Sequence, residues 1–281
     1  MLPVSIPVRA FPKILIAPAV TGQDLARLHW VSIFLLATSY VSALVALITK
    51  SDANWPEAGL LLLGTLSTIF SLSRQLPAQN VFLASLILAF GGSLAHALGA
   101  KCGIPFGPFM FGAGAGWKLF GELPWMIPFL WVAAVLNSRG VARLILRPWR
   151  KIRAYGLWLI ALTALLTVLF DCALEPFAMQ VRHYWIWAPG GYSLTPQGAP
   201  LANSAGWLLV TLLMLAFVTP LLINKQLSKR SAPDFHPLAV WLGAILLFGL
   251  GAALKQLWEA VVVDAVIGVA TAVFAIRGAR W

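Results

Sequence analysis

Charge is what this chain has least of. Nine Asp and Glu stand against twenty Lys and Arg among 281 residues, and charged residues of both signs make up only 10% of the whole. Soluble domains carry about 25% charge, so this deficit, with a mean hydropathy of +0.86, excludes an ordinary soluble fold. Cysteine is almost missing as well. Cys102 and Cys172 are the only two; a bridge between them is open, and two unrelated thiols is the simpler reading. The histidines His29, His96, His183 and His236 form no H-x-x-H or H-x-x-x-H box, which argues against a membrane di-iron oxygenase. The paired Asp-rich motif with which prenyltransferases hold magnesium diphosphate is missing. "GAGAGW" (112–117) has no preceding strand, so it is not a nucleotide fingerprint. No cofactor and no metal are expected, and the first 25 residues, broken by Pro3, Pro7, Pro12 and Pro18, lack the continuous apolar stretch of an export signal.

What the chain does have is long apolar runs. Crossing roughly 30 Å of hydrocarbon takes about 20 helical residues, and eight runs qualify: about 28–49, 55–73, 79–99, 122–146, 155–176, 203–223, 237–254 and 257–276. Strand-like alternation is absent, and in lipid only helices or closed barrels satisfy the backbone. The expectation is an all-α, polytopic transmembrane bundle of about eight helices. It divides into an N-terminal tail (1–25) and a single membrane domain (26–281) with long connections at 100–121 and 177–202.

The net charge of +11 is then read loop by loop. Fourteen of the twenty Lys and Arg fall on one side: Arg9, Lys13 and Arg27, Arg74, the group from Arg143 to Arg153, the group from Lys225 to Arg230, and Arg277 with Arg280. Lys50, Lys101, Lys118, Arg182 and Lys255 fall on the other, and Arg139, inside the fourth span, is near enough to the basic end to snorkel. The positive-inside rule places both termini in the cytoplasm, as for a multi-pass protein of a bacterial cytoplasmic membrane. The basic balance reports topology and some attraction to anionic lipid, not nucleic acid.

The question the sequence raises most sharply is Asp171 and Glu175 in "LFDCALEPFAMQ" (169–180). About 24 Å and 30 Å along a helix starting near Tyr155, they straddle the far edge of the hydrocarbon. Four residues apart, they share a face. Carboxylates inside a membrane are costly and face a cavity or the bundle interior; there, one protonated acid beside one ionised carboxylate is the arrangement that acid–base chemistry uses. The same two residues would serve equally as helix-end carboxylates reaching interfacial water.

Two further stretches face the same side. "CGIPFGPFMF" (102–111) and "GWKLFGELPWMIPFLW" (116–131) combine glycine, proline and aromatic rings, including Phe106, Phe109 and Trp117, with Glu122 at the head of the fourth span. They read as a fixed loop holding rings against something apolar, or as an aromatic belt. "HYWIWAPGGY" (183–192) and "GAPLANSAGW" (198–207) supply His183, Trp185, Trp187, Tyr192, Asn203 and Trp207. Asn203 and Ser204 suit the N-cap of the sixth span; the rings suit a cavity that stabilises a cation. His96 and Glu259 lie at the same level. Asp264, deeper in the last span, reads as a buried, hydrogen-bonded acid or, as the second choice, part of the cavity floor.

Together, "PFGPF" (105–109), "LFGELPWMIPFLW" (119–131), Asp171 to Pro176, "YWIW" (184–187) and "GAPLANSAGW" (198–207), in that order, resemble the carotenoid biosynthesis proteins of the CruF type, membrane carotenoid 1',2'-hydratases. The resemblance covers roughly residues 80–220. The chain departs from that family's usual pattern at Phe109 and Phe111, where tyrosine is common, at Glu175-Pro176, where Asp-Pro is common, and in a longer run before the G-x-P-x-x-N segment. The resemblance implies cofactor-independent addition of water to the terminal double bond of an acyclic carotenoid. Asp171 would be the proton donor, with Glu175 its partner or the base that orients water. Phe106, Phe109, Trp117, Glu122, His183, Trp185, Trp187, Asn203 and Trp207 would bind the end group or position acid and water. Beside that reading, a non-catalytic binder or carrier of a polyisoprenoid lipid and a polyene isomerase on the same scaffold both remain open.

The orientation is testable. With Cys102 and Cys172 replaced by serine, Lys255→Cys is expected to react with a membrane-impermeant maleimide in intact cells, and Arg280→Cys only after permeabilisation; the reverse pattern would invert the topology.

Overall fold

The computed structural model describes residues 22–51, 55–188, 198–223 and 232–281. Most of the proline-interrupted N-terminal tail, Tyr192, Lys225, Lys229 and Arg230 lie outside the described residues. Among those described, eight long helices follow the chain: α1 (Gly22–Ile48), α2 (Trp55–Ser73), α3 (Ala78–Cys102), α4 (Ile127–Ile145), α5 (Tyr155–Pro176), α6 (Leu201–Val218), α7 (His236–Leu254) and α8 (Trp258–Ala279). The protein is thus a polytopic helical bundle. Seven of the helices are long and apolar enough to cross a membrane, and α4 is the exception.

The reason lies in where α4 sits. It packs against α2, α3, α5, α7 and α8, so its polar residues meet protein rather than lipid. Asn137 donates to the Ala133 carbonyl at 2.8 Å and accepts from Thr68 at 3.1 Å. Ser138 accepts the Trp241 indole N–H at 3.2 Å. Arg139 does not snorkel as its sequence position suggests; it is buried and donates to the Leu222 carbonyl at 3.0 Å. A central helix with protein on all sides has no need of a lipid-compatible surface.

At one end of the bundle the two long connections are joined. Strand β1 (Phe109–Phe111) pairs antiparallel with β4 (Trp185–Trp187), in the register Phe109 to Trp187 and Phe111 to Trp185. Alternation along a strand turns Phe109 and Trp185 inward, where they are buried, and leaves Met110 and Ile186 exposed. Between β1 and α4 lies a tight hairpin of β2 (Lys118–Leu119) and β3 (Leu123–Pro124). Glu122 therefore belongs to this hairpin and not to the head of α4, which starts five residues later.

Close helix approach depends on glycine at the ribbon end. Phe106 is wedged between α3 and α6: a Cβ at Gly99 would stand 2.9 Å from its ring, and one at Gly206 would stand 2.7 Å from it. Gly92 faces Trp131 so closely that any Cβ would enter the indole. Trp131 is fully buried and cannot yield, so Gly92→Ala is expected to destabilise the protein by about 1–3 kcal/mol through overpacking. Gly156→Ala, which adds a Cβ into open space, is the control. Thermal midpoints in detergent should fall for the first and not for the second.

Candidate functional site

The site is built on the last turns of α5. Asp171 and Glu175, one turn apart, face α6, while Phe170 and Leu174 point the other way into the bundle. Pro176 ends the regular helix and a wider turn, Phe177–Val181, redirects the chain toward β4. Such turns recur at functional sites. Here it delivers Trp185 and Trp187 back onto the acid that precedes it.

The carboxyls are held by an explicit set of donors. Asn203, in the first turn of α6, gives its amide group to both, at 2.8 Å to Asp171 Oδ2 and 3.0 Å to Glu175 Oε1. The indole N–H groups of Trp185 and Trp187 both donate to Glu175 Oε2 at 3.1 Å. Asp171 is fully buried, Glu175 and Asn203 nearly so. The two carboxyl groups are also close enough to hydrogen-bond one another. Glu175 thus accepts three N–H bonds, the environment of an ionised carboxylate. Asp171 accepts one, and its Oδ1 receives no donor among the described residues. An unequal donor set of this kind suits a negative charge on Glu175 and a proton on Asp171.

Around the pair stands an aromatic wall. His96, Phe106, Phe109, Trp185, Trp187 and Trp207 enclose, with Glu175 and Asn203, a cavity of about 10 Å³. That is at the lower edge of what one water molecule needs. Trp207 stacks on Trp131 with ring centroids 4.0 Å apart, and Trp131 donates to His96 Nδ1 at 3.0 Å. With Nδ1 accepting, a neutral His96 carries its proton on Nε2.

Of the residues singled out from sequence, the structure brings together Asp171, Glu175, Asn203, Phe106, Phe109, Trp185, Trp187 and Trp207. Three stand apart. Trp117 is 70% exposed; Glu122 pairs at the surface with Lys101 at 2.7 Å; His183 is exposed, its ring nitrogen 2.8 Å from the Met179 carbonyl. The N-cap position of α6 falls to Pro200, so the polar group of Asn203 is free for the acids. Cys102 and Cys172 are free thiols. Glu259 is exposed. Asp264 is buried, but neither of its oxygens has a hydrogen-bond partner among the described residues, contrary to the expectation of a bonded acid.

Sequence reasoning missed the support that Trp131 gives to His96 and Trp207. It also missed a buried ion pair between Arg182 and Glu57. The first could have been suspected from a tryptophan in a span and Gly92 opposite. The second joins residues 125 apart, with no local signal.

Fold and site together define a multi-pass membrane protein with a buried carboxyl pair under an aromatic wall. The chain matches the carotenoid biosynthesis protein family over residues 57–271 and belongs to it. It is also similar to a bisanhydrobacterioruberin hydratase of Haloarcula japonica, 34% identical over 114 residues. That match covers 40% of this chain and 36% of the relative, so the similarity spans about a third of the relative's length. No solved structure matches the chain.

Because Asn203 is the donor shared by both acids, Asn203→Leu is expected to lower stability by about 1–3 kcal/mol, the cost of leaving buried polar groups unmade. Trp187→Phe, which removes one donor of three from Glu175, should cost less. Thermal midpoints of the purified variants check the order.

Proposed function

We propose that this carotenoid biosynthesis protein is a hydratase, adding water across the terminal trisubstituted double bond of an acyclic carotenoid end group. The observation that carries the reading is the unequal donor set of the two buried carboxyls, one poised to give a proton and one to take it. The similarity to a hydratase supports it further.

In this reading Asp171 is the general acid. Its O–H bond breaks as the alkene π pair forms a new C–H bond, leaving a tertiary cation. The faces of Trp185, Trp187 and Trp207 stabilise that cation, in a site where water is excluded except for the one reacting molecule. The water oxygen bonds to the cation and loses a proton to Glu175. The carboxyl–carboxyl contact then returns the proton to Asp171, so the net change is one water added and nothing consumed. Phe106, Phe109 and His96 shape the space in which the end group and the water meet. The end group is larger than the resting cavity, so the indole of Trp185 or Trp187 has to shift as substrate enters.

A non-catalytic carrier and a polyene isomerase use the same aromatic cavity differently. The carrier tolerates loss of the acids, and the isomerase leaves the mass unchanged. The test is expression in a bacterial host that accumulates lycopene, with pigments analysed by chromatography and mass detection. New pigments heavier by one or two waters are expected, with production falling by about 10²-fold or more in Asp171→Asn while the variant still inserts and folds. Undiminished product in Asp171→Asn would remove that residue from the role. Bound but unaltered lycopene would favour the carrier.

A further inference from the structure

A second and much larger cavity lies on the other face of α5. It has a volume of about 810 Å³ and is lined by α1, α2, α4, α5 and α7, within the range of small-molecule binding sites. Its lining is almost wholly apolar. Along α7 alone it extends from His236 to Phe248, about 18 Å at helical rise. Val41 and Leu246 line it and are themselves 59% and 57% exposed, so the chamber opens sideways between α1 and α7 toward lipid. Trp185 is common to both cavities. One edge of its indole donates to Glu175 while the residue walls the chamber.

At the end of the chamber away from His236, whose Nε2 also has no hydrogen-bond partner among the described residues, stands a pair of polar groups. Glu57 and Tyr184 line it beside Trp185. Arg182 pairs with Glu57 Oε1 and donates to the Ser51 carbonyl at 2.6 Å, which fixes the carboxylate. Glu57 Oε2 and the Tyr184 hydroxyl are buried and have no hydrogen-bond partner among the described residues. A buried donor and a buried acceptor left unmade each cost free energy, and both sit at one buried end of an apolar chamber. The group that would satisfy them together is a hydroxyl, which accepts from tyrosine and donates to carboxylate.

We propose that this chamber binds the chain of a linear isoprenoid, with Glu57 and Tyr184 forming a station for a hydroxyl at its end. The inference rests on the hydratase reading for the origin of that hydroxyl, since hydration converts a hydrocarbon end into an alcohol. The chamber then holds the alcohol end after it forms, one indole away from the acids. Apolar chain along α7, polar end at Tyr184 and lateral opening to lipid are what a membrane-soluble alcohol requires.

The test uses purified full-length protein in detergent, with lycopene and its mono-hydrated tertiary alcohol as probes, binding being read from the visible absorption of the retained polyene. Wild type is expected to hold the alcohol more tightly than lycopene. Tyr184→Phe removes only an oxygen without a partner, so the fold is kept; the preference should fall by about two- to tenfold, the worth of one hydrogen bond. Gly64→Leu with Gly243→Leu fills the chamber. A Cβ at either position meets only ordinary contacts, the nearest at 3.8 Å and 3.6 Å, and leucine favours helix over glycine. This variant should lose retention of both probes by about tenfold or more. Asp171→Asn should retain both.

Equal affinity of wild type for the two probes, or a preference unchanged in Tyr184→Phe, would overturn the hydroxyl station. Full retention in the filled variant would overturn the chamber, and so would phospholipid acyl chains that co-purify with wild type and are lost on filling. Failure of wild type to hydrate lycopene while showing the predicted binding would count against the hydratase reading alone.

Discussion

Everything at the ribbon end depends on keeping two carboxyls buried in a lipid-embedded bundle. A carboxylate without partners in such a place costs several kcal/mol, so the fold has to bring donors to it. It does so from two separate segments. Asn203 arrives with the first turn of α6, and Trp185 and Trp187 arrive with β4. The wide turn after Pro176 permits that return, and pairing of β4 with β1 fixes its register. The glycines of α3 and α6 then let Phe106 close the remaining space. Removal of any of these supports exposes a charge or a void.

The same arrangement separates two environments across one helix. The face of α5 with Asp171 and Glu175 is polar, tight and aromatic; the face with Phe170 and Leu174 opens onto a roomy apolar chamber. Trp185 belongs to both. A membrane enzyme acting on a long apolar molecule needs this division. Proton transfer requires a small site with controlled water, while the chain requires volume and dispersion contacts.

The bundle was legible in sequence because apolar length is a strong signal. The eight apolar runs correspond to eight long helices among the described residues, α4 included, although its polar residues make it too weak a span by composition alone. Asp171 and Glu175 were legible from their spacing, since an i, i+4 pair shares a helical face whatever the tertiary structure. Trp185 and Trp187 stood out as rings beside a loop, but that their N–H groups converge on Glu175 depends on strand register, which short strands with no turn between them do not reveal. Trp117 and Glu122 were misplaced because the hairpin before α4 has no hydrophobic period to mark it. The pairing of Arg182 with Glu57 and the chamber itself arise from packing between helices far apart in sequence. No local pattern encodes them.

The central claim is that Asp171 and Glu175 add the elements of water to a carbon–carbon double bond. The most direct test follows both elements, by running the reaction of the purified protein on lycopene in deuterated, oxygen-18 water and analysing the product by mass spectrometry. The account predicts one solvent oxygen in the new alcohol and one non-exchangeable deuterium on the adjacent carbon. An alcohol whose oxygen comes from dioxygen, with no deuterium on carbon, would contradict it.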